Sequence, residues 1–169
     1  MTEQAAKKQF KVEFSNVTHQ NSDCLRLLVN KTFPLTYTDS LYAKIATEYK
    51  DLSFFSYLDD IPVGGISCRI EPRNEAPSMY ILILAVLPKY RRGQIATQLL
   101  DEALKRARAD PTIKCVYLHT PIHNEAAIKF YEKNGFKIVE TLPAYYKVFE
   151  NDERNTAVVL ELTLQNAAK

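Results

Sequence analysis

The chain has 169 residues, 46% apolar and 25% charged, with a formal charge of +2. That composition fits one ordinary globular domain with a full-sized core, and the charge is too small to make nucleic acid its main partner. No stretch reaches the roughly 18 apolar residues of a membrane span, and residues 1–8 hold no signal-peptide core.

Residues 1–8 are expected to form a flexible arm, 9–164 the domain and 165–169 a flexible tail. Phe10-Lys11-Val12-Glu13-Phe14 alternates as a half-buried strand does. A helix is predicted after Asn21 or Ser22, carrying Leu25, Leu27, Leu28 and Val29 and stopping near Pro34. A second starts after Thr38, an N-cap with Asp39 in the first turn. Leu52 to Leu58 and Pro62 to Ile70 read as a strand pair turning at Asp59-Asp60.

Met79 to Leu87 is apolar enough for a strand buried on both faces. Arg91-Arg92-Gly93-Gln94-Ile95-Ala96 follows, leading into a helix whose stripe is Ile95, Leu99, Leu100, Ala103, Leu104 and Ala107, ending near Asp110-Pro111. A strand, a glycine-containing turn and a helix N-terminus together present backbone N–H groups and a positive dipole end, an anion cradle with two arginines at its lip.

Residues 115–119 form a short strand. Asn124 caps a helix that ends at Asn134-Gly135-Phe136, with Gly135 supplying the left-handed residue. Strands around Phe136 to Glu140, resuming at Tyr145 to Phe149, and Thr156 to Leu164 complete the chain. The class is mixed α/β, with about six to seven strands in the sheet and about four helices around it, and a parallel pair beside the cradle helix. Cys24, Cys68 and Cys115 have no ligand spacing, so no metal is expected; they read as buried, reduced thiols of an intracellular protein.

Two stretches resemble the GCN5-related N-acetyltransferase (GNAT) superfamily. Residues 91–96 are similar to its cofactor motif Gln/Arg-x-x-Gly-x-Gly/Ala. Residues 124–136, Asn-Glu-Ala-Ala-Ile-Lys-Phe-Tyr-Glu-Lys-Asn-Gly-Phe, resemble its Asn-x-x-Ala-x-x-x-Tyr-x-x-x-Gly-Phe hallmark. More narrowly, Phe33-Pro34-Leu35-Thr36-Tyr37, Tyr117-Leu118-His119 and Tyr145-Tyr146-Lys147 resemble segments of the NatE group of catalytic subunits.

The resemblance implies a single GNAT-type domain that uses acetyl-CoA, releases coenzyme A and acetylates the α-amine of polypeptides, Met-initiating ones above all. It also implies cytoplasmic action, with the ribosome and a helical-repeat auxiliary subunit of the NatA type as partners; the low charge and the lack of a long apolar run leave out nucleic acid and membrane as direct ones. Backbone groups of Arg92, Gly93, Gln94, Ile95 and Ala96 would surround the pyrophosphate, with Arg91 or Arg92 adding charge. Leu84 and Val86 would run beside the pantetheine arm, which Asn124 also contacts.

A peptide α-amine titrates at about 7.7–8.0, so a weak base suffices to deprotonate it. His119 and Tyr80 are the candidates; the resemblance implies that they act together through a water, with Tyr131 as the acid for the leaving thiolate. Phe33, Pro34, Leu35, Tyr37, Tyr145, Tyr146 and Phe149 would bind the acceptor. Gln94 departs from the motif where the first glycine belongs. Its side chain must point outward or the loop must shift, and the cradle is expected to be weakened. Two other readings stand beside this one: a non-catalytic GNAT-fold subunit docking on a larger acetyltransferase assembly, and an acetyltransferase for lysine or small amines.

Overall fold

The computed structural model describes residues 9–33, 36–147 and 155–164. Local chemistry sets most element ends. The Thr38 hydroxyl accepts the Leu41 N–H at the start of α2 (Asp39–Thr47), and α1 (Ser22–Thr32) stops at the extended Phe33 before Pro34. Asn124 accepts the Ala127 N–H at 3.2 Å and caps α4 (Glu125–Lys133); Gly135 follows it at φ +89°. The cradle helix α3 spans Ile95–Ala109, and Asp110 then turns the chain by accepting the Thr112 N–H at 2.9 Å.

The strands are β1 (Glu13–Asn16), β2 (Ser53–Leu58), β3 (Ile61–Arg73), β4 (Ala76–Val86), β5 (Cys115–Pro121), β6 (Lys137–Leu142) and β7 (Ala157–Thr163). They pair in the order β1-β2-β3-β4-β5-β7-β6. β4 and β5 run parallel, as expected beside the cradle helix, whereas β1 with β2, β2 with β3, β5 with β7 and β6 with β7 are antiparallel. Asp59 takes φ +53° in the β2–β3 turn. Asn74 and Glu75, both at positive φ (+50° and +63°), form a tight two-residue turn between β3 and β4, a hairpin the sequence reading did not single out.

The chain forms two compact units, residues 1–69 with 82–106 and residues 70–81 with 107–169. In the first, Leu25, Leu28, Val29, Tyr42 and Ile45 from α1 and α2 pack with Phe55, Ile83 and Ala85. Ile95, Leu99, Leu100, Ala103 and Leu104 are the buried stripe of α3. At Gly64 a Cβ would stand 2.8 Å from Ser56 Oγ, 3.0 Å from the Ala85 carbonyl and 3.1 Å from Leu99, so only glycine allows this approach. In the second unit β5 lies between β4 and β7, and β6 is exposed, with a register shift between Ile138 and Glu140.

Several expectations need correction. The first strand begins at Glu13, three residues later than the alternation from Phe10 suggests, and all four of its residues are exposed. Phe10 itself is drawn to the cradle loop. β4 is not buried on both faces: Met79, Ile81, Ile83 and Ala85 are buried, while Tyr80, Leu82 and Leu84 alternate with them as half-buried residues. Its apolar composition hides that second face, because the side chains there are apolar too. Leu27 and Cys24 are exposed, unlike the buried Cys68 and Cys115. Tyr145 to Lys147 is not strand; the rest of that proposed segment, with both terminal stretches, lies outside the described residues.

Candidate active site

Candidate residues occur in both units. The cradle is in the first. Strand β4 ends at Val86, and a short 3₁₀ turn at Pro88–Tyr90 leads to Arg91. Arg92 has φ +65° and Gln94 φ +62°, whereas Gly93 between them lies outside the left-handed region. Backbone whose φ alternates in sign turns successive N–H groups toward one side, the arrangement of an anion-binding nest. The first N–H groups of α3 continue it, since they have no acceptor one turn earlier in the helix. This donor set fits a pyrophosphate, the group that acetyl-CoA offers at such a place.

Gln94 is exposed, as its outward orientation requires. Arg92 is exposed too, and Arg91 Nε donates to the Val86 carbonyl at 3.2 Å. Arg91 therefore ties the loop to the end of β4, leaving its terminal guanidinium nitrogens as the groups able to meet phosphate. Leu84 is half-buried and Val86 buried on the same strand.

The second unit holds the proposed proton path. Tyr80 and Tyr117 face each other in the β4–β5 register, and His119 follows two residues on, hence on the same face. Tyr80 Oη lies 3.2 Å from His119 Nδ1. The imidazole stacks on the Tyr145 ring, 4.6 Å between centroids and 6° between planes, and Tyr145 meets Tyr146 edge-on at 5.0 Å. Burial, then the charge of Arg73, lowers the His119 pKa, while Glu140 and Glu71 oppose the shift. The imidazole is thus neutral at pH 7, able to accept a proton.

Sequence reasoning missed the groups around this pair. Tyr117 donates to the Glu71 carboxylate. Arg73 Nε meets Glu161 at 3.0 Å, and its guanidinium lies 4.4 Å above the Tyr117 ring. The available signal was period-two spacing: Glu71 and Arg73 on β3, like Tyr117 and His119 on β5, share a strand face.

Other candidates lie elsewhere. Tyr131 is buried in α4, its ring against Phe130 and Phe136 at 5.0 and 5.3 Å. Asn124 spends its Oδ1 on the helix cap, so a cofactor contact falls to Nδ2. Phe33 and Tyr37 pack against the first unit's core, and burial raises the Tyr37 pKa. Pro34, Leu35 and Phe149 lie outside the described residues.

Comparison with known proteins places the chain in a family. The acetyltransferase (GNAT) family profile matches residues 22–136. The chain is 39% identical over 140 residues to N-alpha-acetyltransferase 50 of Danio rerio, covering 83% of each chain. It is 36% identical over 157 residues to the probable N-acetyltransferase san of Drosophila melanogaster, covering 93% of this chain and 83% of that one. Among solved structures, Arabidopsis thaliana Naa50 in complex with the bisubstrate analogue CoA-Ac-MVNAL superposes with a TM-score of 0.80 at 33% identity, covering 90% of this chain and 99% of the other. With the profile spanning most of the chain and both relatives above 30% identity, this protein belongs to the GNAT acetyltransferase family.

Proposed function

We propose that the chain is an N-terminal protein acetyltransferase, moving acetyl from acetyl-CoA to the α-amine of a polypeptide that begins with methionine. The observation that carries the reading is the contact between Tyr80 Oη and His119 Nδ1, a neutral acceptor held by a hydroxyl. It is supported by the relatives named N-acetyltransferase and by the Met-Val peptide of the bisubstrate analogue bound to the Arabidopsis protein.

The chemistry follows from the residues. Near neutral pH about half or more of a peptide α-amine carries its extra proton. His119 accepts that proton, directly or through a water that Tyr80 holds, and the freed lone pair attacks the thioester carbonyl carbon. Attack forms the new C–N bond, the C–S bond then breaks, and the nitrogen releases its second proton to water, balancing the one that the leaving thiolate takes up. The thiolate leaves with the electron pair, and Tyr131 is the proposed donor that protonates it. A backbone N–H near Leu84 or Val86 is the proposed partner of the developing oxyanion. The acetyl-CoA thioester supplies the activated acyl group; the cradle at 92–96 and the flanking arginines hold its pyrophosphate. Tyr145 and Tyr146 are the proposed acceptor-binding residues of the second unit, and Phe33 and Tyr37 those of the first.

A peptide panel tests the assignment. Acetylation of Met-Leu or Met-Val N-termini at rates well above a blocked peptide bearing only lysine supports it. Preference for the lysine ε-amine overturns it in favour of a side-chain acetyltransferase. Calorimetric titration with acetyl-CoA separates the non-catalytic reading, since a docking subunit gives no binding heat. We also propose that the chain acts in the cytoplasm, bound to a helical-repeat auxiliary subunit of the NatA type at the ribosome. Its support is the likeness of the 33–37, 117–119 and 145–147 segments to NatE subunits, and co-sedimentation with ribosomes checks it.

A further inference from the structure

We propose that Phe10 and Gln98 are positioning residues for the cofactor loop, holding from its outer side a turn that lacks the glycine at position 94. The inference rests on the acetyl-CoA reading of the cradle.

Gly93 does not serve as a left-handed residue. Its value is the space its missing side chain leaves, because a Cβ there would fall on the Phe10 ring, 2.6 Å from Cε2. Phe10 fills the side-chain position of residue 93 from 83 residues away in the chain. Its ring also meets Tyr90 edge-on at 6.0 Å, just ahead of the cradle.

The backbone contacts give this packing a direction. The Phe10 N–H donates to the Gly93 carbonyl at 3.2 Å. A trans peptide points its C=O and the following N–H in opposite directions. Holding the Gly93 oxygen toward Phe10 therefore turns the Gln94 N–H toward the concave side, where an anion is met. The Phe10 carbonyl in turn accepts Gln98 Nε2 at 2.8 Å, and the same nitrogen lies 3.4 Å from the Gln94 carbonyl. That carbonyl also receives the Gln98 backbone N–H at 3.1 Å. One side chain, Gln98, thus joins the first turn of α3 to the segment that covers Gly93.

This brace accounts for two non-glycine residues, Arg92 and Gln94, in left-handed conformations on either side of Gly93. Glycine at 94 would reach the same conformation without help. Here the fold supplies it through Phe10.

The experiment measures coenzyme A affinity by calorimetry and steady-state kinetics on a Met-initiating peptide for Phe10→Ala, Gln98→Ala and the control Phe14→Ala. Phe14, on β1, packs edge-on against Phe54 of β2. Loss of preorganisation is expected to weaken coenzyme A about tenfold in Phe10→Ala and severalfold in Gln98→Ala. The KM for acetyl-CoA rises in step while kcat at saturation is retained, and Phe14→Ala binds as the parent does. Adding Gln94→Gly to Phe10→Ala restores most of the affinity. Unchanged affinity in both Phe10→Ala and Gln98→Ala overturns the proposal, as does an equal loss in Phe14→Ala or no restoration by Gln94→Gly. If Phe10→Ala fails to fold, Gln98→Ala with and without Gln94→Gly decides by the same criteria. If the parent protein itself gives no heat with coenzyme A, the cofactor reading falls and this proposal with it.

Discussion

The imidazole of His119 is held on two sides, by the Tyr80 hydroxyl 3.2 Å from Nδ1 and by the Tyr145 ring stacked 4.6 Å away. One contact fixes a nitrogen and the other fixes the plane of the ring. A base oriented in this way contributes typically 10²–10⁴-fold to a proton transfer. His119→Ala is therefore expected to lower kcat by about 10²-fold or more, and Tyr80→Phe by about tenfold. Both should leave coenzyme A affinity near that of the parent, because neither residue belongs to the cradle. Steady-state kinetics beside calorimetry checks this, and full turnover in either variant removes that residue from the proton path.

Tyr145 separates orientation from hydrogen bonding. Tyr145→Phe keeps the stacking ring, whereas Tyr145→Ala removes it and frees the imidazole to rotate. We expect Tyr145→Ala to lose several-fold more kcat than Tyr145→Phe. Equal losses would assign Tyr145 to the acceptor through its hydroxyl alone.

The pH dependence follows from the charges around His119. Its pKa is lowered by burial and by Arg73, and raised by Glu140 and Glu71, with lowering the net result. The acid limb of kcat/KM for the free enzyme should therefore lie below the ordinary histidine value of about 6.5. Arg73→Leu removes a cation and leaves the Glu161 carboxylate without its 3.0 Å partner. Both changes favour the imidazolium, so the acid limb should move to higher pH. A rate profile from pH 5 to 9 measures the displacement, and a shift to lower pH would contradict the electrostatic account.

Gln94 carries a measurable cost. A non-glycine residue in the left-handed region loses about 1 kcal/mol or more relative to glycine. Gln94, at φ +62° and exposed, is such a residue with little packing to lose. Gln94→Gly should raise the thermal midpoint by a few degrees and tighten coenzyme A binding, whereas Gln94→Ala should do neither. Thermal melts with and without coenzyme A distinguish the two.

Gly64 tests the scaffold apart from the site. A methyl there would press on Ser56 Oγ, the Ala85 carbonyl and Leu99 within 2.8–3.1 Å. Overpacking of this kind costs about 1–3 kcal/mol, so Gly64→Ala should lower the denaturation midpoint measurably. An unchanged midpoint would mean that α3 yields more readily than its buried stripe suggests.

The sequence by itself determined what local chemistry controls. Thr38 and Asn124 cap their helices through side chains that reach only three residues, and Gly135 ends α4 with the one residue type that enters the left-handed region freely. The strand, turn and helix at 76–109 and the family motifs are contiguous, so their order was legible. Tyr80 and His119 could be named as partners through the family likeness, but not their 3.2 Å contact. The tertiary structure alone decided which distant residues meet: Phe10 with Gln98 and Arg73 with Glu161 are each 88 positions apart. Periodicity can say that a side chain shares a strand face, but it carries no information about which strand lies alongside. The Phe10 alternation suggested a strand because its pattern is the same whether the ring enters a sheet or covers a glycine. Only the folded chain, in which Gly93 leaves room for that ring, distinguishes the two.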